Sequence, residues 1–178
     1  MTSNGSRLIS IDGVNAQALT EAARSFAARN RRNRAGISSW GASGIFDELT
    51  MAEPEAGTPS TRTLLLLYAA DLAFRLRWEI RPSLDEGRMV IAAPYVATAI
   101  AFGQAAGLDP DWLRDLFHFA PPASERLVVD PAPPRQVADR HGFVEFAWQR
   151  LEKRLGGLTR AEVMDRTRRH LRASARRA

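Results

Sequence analysis

The sequence has no cysteine and only three histidines among its 178 residues. Disulfide bonds and thiolate metal sites are therefore excluded, and the histidines show no zinc-ligand spacing, since they stand at His118, His141 and His170. No apolar run approaches the roughly 20 residues that a membrane-spanning helix needs. Met1–Ser6 has neither the basic start nor the apolar run of a signal peptide. We therefore predict a cytoplasmic protein with no membrane span and no structural zinc.

The chain is long enough for one domain with a substantial core, and 45% of its residues are hydrophobic. We predict a flexible N-terminus over residues 1–6, a single domain over 7–172 and a basic tail over 173–178. The net charge of +5 is concentrated near the C-terminus. A basic tail can bind nucleic acid, but no aromatic residues are interleaved here, so we favour a solvated helix face. Its arginines are Arg160, Arg166, Arg168, Arg169, Arg172, Arg176 and Arg177.

Residues 62–103 form the most informative stretch of the sequence. A long helix with a wide apolar face is predicted first, capped by Thr58 and carrying Arg75 on its wetter side. A turn at Asp85–Gly87 then leads to a buried strand, Met89–Ala93, which lacks polar alternation and is therefore expected to be covered on both faces. A second helix begins after Tyr95. Such a crossover unit predicts a parallel sheet and places any site at the carboxyl end of the strand.

The N-terminal part has the framework of a phosphate-binding loop. A strand is predicted over Leu8–Gly13 and a helix over Gln17–Asn30. Ala18, Ala22 and Phe26 are expected to face inward, with Ala23 as a further candidate. Further strands are expected at Ile37–Ser39 and at Glu125–Asp130. Helices are also expected near Ile45–Leu49, after Asp109, from Phe143 and over Leu158–Arg172. A strand, a glycine and a helix in succession are typical of loops whose backbone amides bind phosphate.

Several words of the sequence resemble the thymidylate kinase family. YAADLA at Tyr68–Ala73 and IRPSL at Ile80–Leu84 are similar to the family's FAADRAQHVEEVIRPAL, and GLDPDWL at Gly107–Leu113 is similar to GLDPEWI. The resemblance extends from about Arg7 to Arg172. It implies a three-layer P-loop kinase fold, with a parallel sheet of about four or five strands flanked by helices.

The resemblance also implies that most polar groups of the family's site are replaced. Where the family has GxxxxGK[ST], Gly13 and Thr20 are retained as a remnant phosphate loop, whereas the second glycine is Ala18 and the lysine is Leu19. Loss of that lysine removes a cation that stabilises the transferring phosphoryl group. The expected loss of transition-state stabilisation is roughly several kcal/mol, as for the removal of other charged donors from active sites. Ala18 also places a Cβ where the family has none.

The substrate cleft of the family has a similar pattern of losses. Its phosphate-binding arginine corresponds to Leu72, and its DRY word corresponds to Ala93, Pro94 and Tyr95. Two further cleft positions carry Trp40, which can stack on a base or simply pack, and Phe102. The arginine-rich lid of the family is predicted to be deleted near residues 140–142, and His141 is interpreted as solvent-facing.

These replacements lead to the functional expectations. We predict a catalytically inactive thymidylate kinase-like protein with an assembly, regulatory or partner-binding role, no catalytic residue, no metal and no cofactor. The predicted partner is a second copy, through Phe74 and Trp78, or another protein. Two alternatives stay open. One is a nucleotide sensor that uses Gly13 and Thr20. The other is a residual kinase that transfers phosphate from ATP with magnesium to dTMP, using Arg75 or Arg135.

Overall fold

The computed structural model describes residues 6–31, 35–41, 59–129, 142–151 and 157–176. The predicted helix near Ile45–Leu49, the lid deletion apart from Gly142, and His141 lie outside the described residues. Four strands and seven α-helices are described: β1 Arg7–Asp12, α1 Ala16–Arg29, β2 Gly36–Ser39, α2 Thr61–Arg75, α3 Arg81–Asp85, β3 Met89–Ala93, α4 Val96–Ala105, α5 Pro110–Leu116, β4 Glu125–Val128, α6 Phe143–Leu151 and α7 Arg160–Ala175.

The four strands form one parallel sheet in the order β2-β3-β1-β4. The central strand β1 places Ile9 opposite Ile91 of β3 on one side and opposite Glu125 of β4 on the other. On the far side of β3, Ser38 of β2 lies opposite Ala92. The predicted α/β class with four or five parallel strands is confirmed.

Alternate residues of the strands serve two separate cores. Ile9, Ile11 and Ile91 pack against α1, and the cluster is closed by Leu19 and Phe26. The neighbouring strand positions point to the other face, where a larger cluster joins the sheet to α2, α4, α5, α6 and α7. All five residues of β3 are buried. The sheet is therefore the middle of three layers, as continuous apolar strands require. Within α1 the buried positions are Leu19, Ala23 and Phe26, and Ala22 packs partly buried against the same cluster. The expected inward positions Ala22, Ala23 and Phe26 are therefore confirmed, whereas Leu19 rather than Ala18 is the buried residue of the first turn.

The long helix α2 differs from the expectation at both ends. Its N-cap is Ser60, whose hydroxyl accepts from the amide of Thr63 at 3.0 Å, rather than Thr58. At its C-terminal end it continues through a π-helical segment, Leu76–Ile80, into α3. Arg75 was expected on the wetter side, but it is 3% exposed. The correction has a physical reason, because an ion pair with Asp71 accompanies this burial.

The C-terminal helices follow their sequence signals. Asp109 caps α5 by accepting from the Trp112 amide at 2.8 Å. Thr159 and Glu162 form a capping box at the start of α7, which is shifted by two to three residues from the predicted range. The strand β4 ends at Val128, two residues before the predicted end. Across the described part of the chain, no helix is both long and apolar enough to cross a membrane.

Candidate functional site

The turn between β1 and α1 is short and already hydrogen-bonded. It contains only Gly13, Val14 and Asn15, because α1 begins at Ala16. The Gly13 amide donates to the Thr98 hydroxyl at 3.1 Å. Asn15 is the N-cap of α1 and its side chain accepts from the Ala18 amide at 2.9 Å. In a phosphate-binding loop such amides point at the ligand. Here the Gly13 and Ala18 amides are paired within the chain.

The other predicted residues of this loop lie in α1. Leu19 is 4% exposed and packs in the core between α1 and the sheet, while Thr20 is exposed. A cavity of about 190 Å³ adjoins Thr20, Trp40 and Pro94. It is smaller than the roughly 300–1,000 Å³ of typical small-molecule sites. With an apolar side chain at position 19 and two amides already bonded, the described residues do not fit a magnesium–triphosphate group at this turn.

The four predicted cleft residues do come together, in one buried cluster. Trp40, Leu72, Tyr95 and Phe102 are each between 0% and 5% exposed and belong to the larger core. Phe143 of α6 lies among them, with its ring centroid 5.6 Å from those of Trp40 and Phe102.

Tyr68 completes this arrangement, which we call the Phe143 cluster: Trp40, Tyr68, Phe102 and Phe143. The ring of Tyr68 is 4.4 Å from that of Phe143, and both side chains are fully buried. Edge-on and tilted ring contacts of this kind are favourable packing geometries. A buried aromatic ring therefore lies against two of the four predicted cleft residues, Trp40 and Phe102. Trp40 packs there, in keeping with the packing alternative.

Asp12, at the carboxyl end of β1, is a polar residue that the sequence analysis did not single out. Its Oδ1 accepts from the amides of Tyr95 and Thr98 at 3.0 and 2.9 Å, and from the Thr98 hydroxyl at 2.8 Å. Desolvation by burial raises the pKa of Asp12, and the hydrogen bonds from Thr98 and Tyr95 oppose that rise. The carboxyl group therefore caps α4 from a distant strand. The signal available in the sequence was a lone acid at the end of an apolar strand.

A second polar network joins α2 to the turn before α4. The Arg75 guanidinium donates to the Asp71 carboxylate at 2.8 Å and approaches the Pro94 carbonyl at 3.5 Å. The Tyr68 hydroxyl donates to the Tyr95 carbonyl at 2.8 Å. Desolvation raises the pKa of Asp71, against the lowering effect of Arg75. This network fixes the turn Ala93–Tyr95, which the resemblance aligns with the family's DRY word.

The described residues contain no group of three or more histidine, cysteine, aspartate or glutamate side chains that could hold a metal ion. Tyr95 is held by its own contacts, since its hydroxyl donates to the Pro121 carbonyl at 2.8 Å. Burial raises the pKa of Tyr95 to about 12, so this phenol stays protonated at neutral pH. The polar groups near the turn thus serve contacts within the chain.

Comparison with known proteins gives relatives over part of the chain. The chain is 46% identical over 55 residues to a probable thymidylate kinase of Thermococcus kodakarensis, covering 31% of this chain and 27% of that protein. It is 36% identical over 74 residues to the thymidylate kinase of Synechococcus sp. (strain RCC307), covering 41% of this chain and 35% of that protein. The aligned part therefore spans about a quarter to a third of these curated relatives. No protein-family model matches the chain.

The likeness of the folds extends further than the likeness of the sequences. The structure of thymidylate kinase from Ehrlichia chaffeensis superposes with a TM-score of 0.65 at 15% identity, covering 97% of this chain and 84% of that one. At this identity the match shows the fold alone. Together with the local sequence matches, it shows that the chain is similar to the thymidylate kinases in part of its sequence and has their P-loop kinase fold.

Proposed function

We propose that this protein is a thymidylate kinase relative that does not transfer phosphate and acts instead through binding to protein, first of all to a second copy of itself. The observation that carries the proposal is the buried packing of Phe143 against Trp40 and Phe102, two residues that the resemblance assigns to the substrate cleft. The ring of Phe143 lies against Trp40, Tyr68 and Phe102, and all four side chains are at most 5% exposed.

The start of α1 supports the same conclusion. Phosphoryl transfer depends on positioned cations and free backbone amides around the phosphates. Here the Ala18 amide is bonded to Asn15, and Leu19 stands where the family has its lysine. Arg75, considered as a replacement cation, is buried and paired with Asp71. Arg135 lies outside the described residues.

The binding role is supported by an apolar stripe on the outer face of α2 and the π-helical segment that follows it. We call Leu66, Phe74 and Trp78 the α2 stripe; their side chains are 52%, 61% and 63% exposed. The rings of Phe74 and Trp78 are 6.4 Å apart, so they present a joint apolar surface. Exposed aromatic residues of this kind are enriched at protein interfaces. The resemblance to a family that pairs through helices makes a second copy the preferred occupant.

The test of both parts uses the purified full-length chain. Calorimetric titrations with ATP and magnesium, and separately with dTMP, should give no heat of binding, and a coupled ADP-release assay should give no turnover. Light scattering should give the mass of a dimer, and Phe74→Ser with Trp78→Ser should shift it to a monomer. Turnover that is lost in Thr20→Ala would overturn the proposal. Micromolar nucleotide binding without turnover would instead favour the sensor alternative.

A further inference from the structure

Two larger cavities lie away from the phosphate-loop position and from the Phe143 cluster. Their volumes are about 510 and 450 Å³, both within the range of roughly 300–1,000 Å³ typical of small-molecule sites. They adjoin one another, because five residues line both: Asp12, Ala97, Ala123, Arg126 and Ser174. We call the combined space the α4–β4 cavity. It lies on the sheet face opposite α1, between α4, β4 and the C-terminal end of α7.

The walls of the cavity between α4 and the segment before β4 are mainly apolar. They are formed by small and medium side chains of α4, Phe117 and the segment Ala120–Ala123. On the α4 side the lining residues are Val96, Ala97, Ile100 and Ala101. An apolar pocket with a few polar groups is the usual composition of a site for a small organic molecule.

The polar groups of this cavity are divided between its floor and its mouth. Ser10 and Asp12 are each 2% exposed and form the floor. Arg114, Arg126 and His170 also line the cavity, and the two arginines are exposed. Two acidic residues line the combined cavity, and both are engaged. The Oδ1 of Asp12 accepts bonds from the start of α4, and Glu125 pairs with Arg7 at 3.0 Å. The mouth therefore carries positive charge over an apolar interior.

We propose that the α4–β4 cavity binds a small organic anion with an apolar body, whose anionic group pairs with Arg126 at the mouth. Arg126 lines both cavities, whereas Arg114 is engaged with Asp111 at 2.6 Å. Among the described contacts no acidic partner is recorded for Arg126, so its guanidinium is available for a carboxylate or phosphate group. The apolar body is held by α4 and the Ala120–Ala123 segment. The site does not depend on the kinase-like cleft.

The test uses 1-anilinonaphthalene-8-sulfonate, an anionic aromatic fluorophore, on the full chain. The fluorophore should bind saturably at a 1:1 ratio with enhanced fluorescence. Octanoate should displace it, octanol should displace it less well, and acetate should not displace it. Arg126→Gln should weaken octanoate binding about two- to fivefold, as expected for an exposed ion pair, and leave octanol unchanged. Higher salt should weaken octanoate binding in the wild type, because it screens exposed charges. Arg24→Gln, an exposed arginine of α1, is the matched control and should change neither.

A filling variant locates the site independently. Ala97→Leu places a larger side chain between the two cavities on a helix that tolerates leucine, and it should abolish saturable binding of octanoate and octanol alike. Thermal melting of each variant checks that the fold is retained. Amide shifts in NMR spectra should cluster at α4 and His170. Shifts confined to the α2 stripe, equal displacement by octanoate and octanol, or unchanged binding in Ala97→Leu would each overturn the proposal.

Discussion

Replacing Phe143 with alanine tests whether an aromatic ring fills the space where the thymidylate kinase family has its substrate cleft. Phe143 is 1% exposed, and its ring contacts those of Trp40, Tyr68 and Phe102. Truncating such a residue removes its burial and leaves a cavity, at a cost of about 3–5 kcal/mol in the free energy of unfolding. For a chain of this length, about 2–4 °C is lost per kcal/mol, so the melting temperature should fall by roughly 6–20 °C.

The matched control is Phe74→Ala, the same chemical change on the exposed α2 stripe. Phe74 is 61% exposed and has one recorded ring neighbour, Trp78, among the described residues. We therefore expect its loss to change the free energy of unfolding by no more than about 0.5–1 kcal/mol. Both variants are compared with the wild type by urea unfolding, followed by tryptophan fluorescence and circular dichroism. If the two substitutions cost the same, the conclusion that Phe143 fills the cleft is refuted.

A second measurement, stabilisation by a small aromatic ligand, distinguishes removal of the Phe143 ring from general damage to the core. The truncated side chain should leave a dry apolar cavity, which a small aromatic ligand can enter. Benzene or indole at about ten times its dissociation constant should then restore about 1.4 kcal/mol to Phe143→Ala. Neither ligand should stabilise the wild type by binding at this position, because the ring of Phe143 already occupies the space. The gain in Phe143→Ala should therefore exceed any stabilisation of the wild type that comes from binding in the α4–β4 cavity. Equal stabilisation of both proteins would show that the ligand binds elsewhere.

Three further predictions concern buried polar groups and close packing. Burial raises the pKa of Asp12 above its ordinary value of 3.8, so the folded protein holds this proton more tightly than the unfolded chain. The free energy of unfolding of the wild type should therefore fall relative to that of Asp12→Asn as the pH rises from about 4 through the native pKa. Equal pH slopes of the two proteins in urea titrations would contradict this. Arg75→Met breaks a buried ion pair and should cost about 3 kcal/mol, whereas Arg114→Met breaks an exposed pair and should cost less than about 1 kcal/mol in the same assay. Gly13→Ala places a Cβ 2.7 Å from the Val129 side chain and should lower the free energy of unfolding by about 1–3 kcal/mol. In the control Gly36→Ala the new Cβ meets nothing within 4 Å, so this variant should melt within about 2 °C of the wild type.

The apolar pattern was enough to predict the layers of this fold. The unbroken apolar run Met89–Ala93 predicted a strand covered on both faces, and all five residues are buried. Asp109 followed by Pro110 predicted a helix start that the structure confirms. These signals are local or depend only on burial, so one sequence is enough to see them. The position of Arg75 was predicted wrongly. Helical periodicity does not reveal that Asp71, one turn away, pairs with Arg75 and so permits burial of the guanidinium.

The cleft could be predicted only in part. The resemblance identified Trp40, Leu72, Tyr95 and Phe102 as residues of one region, and they do lie in one cluster. Nothing in the sequence indicated that Phe143 would enter that region, because Phe143 lies 41 residues beyond Phe102 and beyond a stretch of chain outside the described residues. Likewise, the phosphate-loop alignment assigned roles to Gly13 and Thr20, but it did not predict that Asn15 would cap a helix that begins at Ala16.

The polar groups that are retained near the Ala93–Tyr95 turn are better explained by what they hold in place than by phosphate chemistry. Burying Asp12 and Arg75 is costly. Bonds to the turn offset this cost for Asp12. For Arg75 the bonds from Nε to Asp71 and from Nη1 to the Pro94 carbonyl offset part of it, while Nη2 has no hydrogen-bond partner among the described residues. That turn fixes Tyr95 at the start of α4, and Asp12 and Tyr95 both line the α4–β4 cavity. A chain that had merely lost a kinase site would need neither buried charge, since apolar side chains could fill the same space. The network is therefore expected to maintain the α4 side of the sheet, and substitutions at Asp12 should weaken octanoate binding more than substitutions at Thr20.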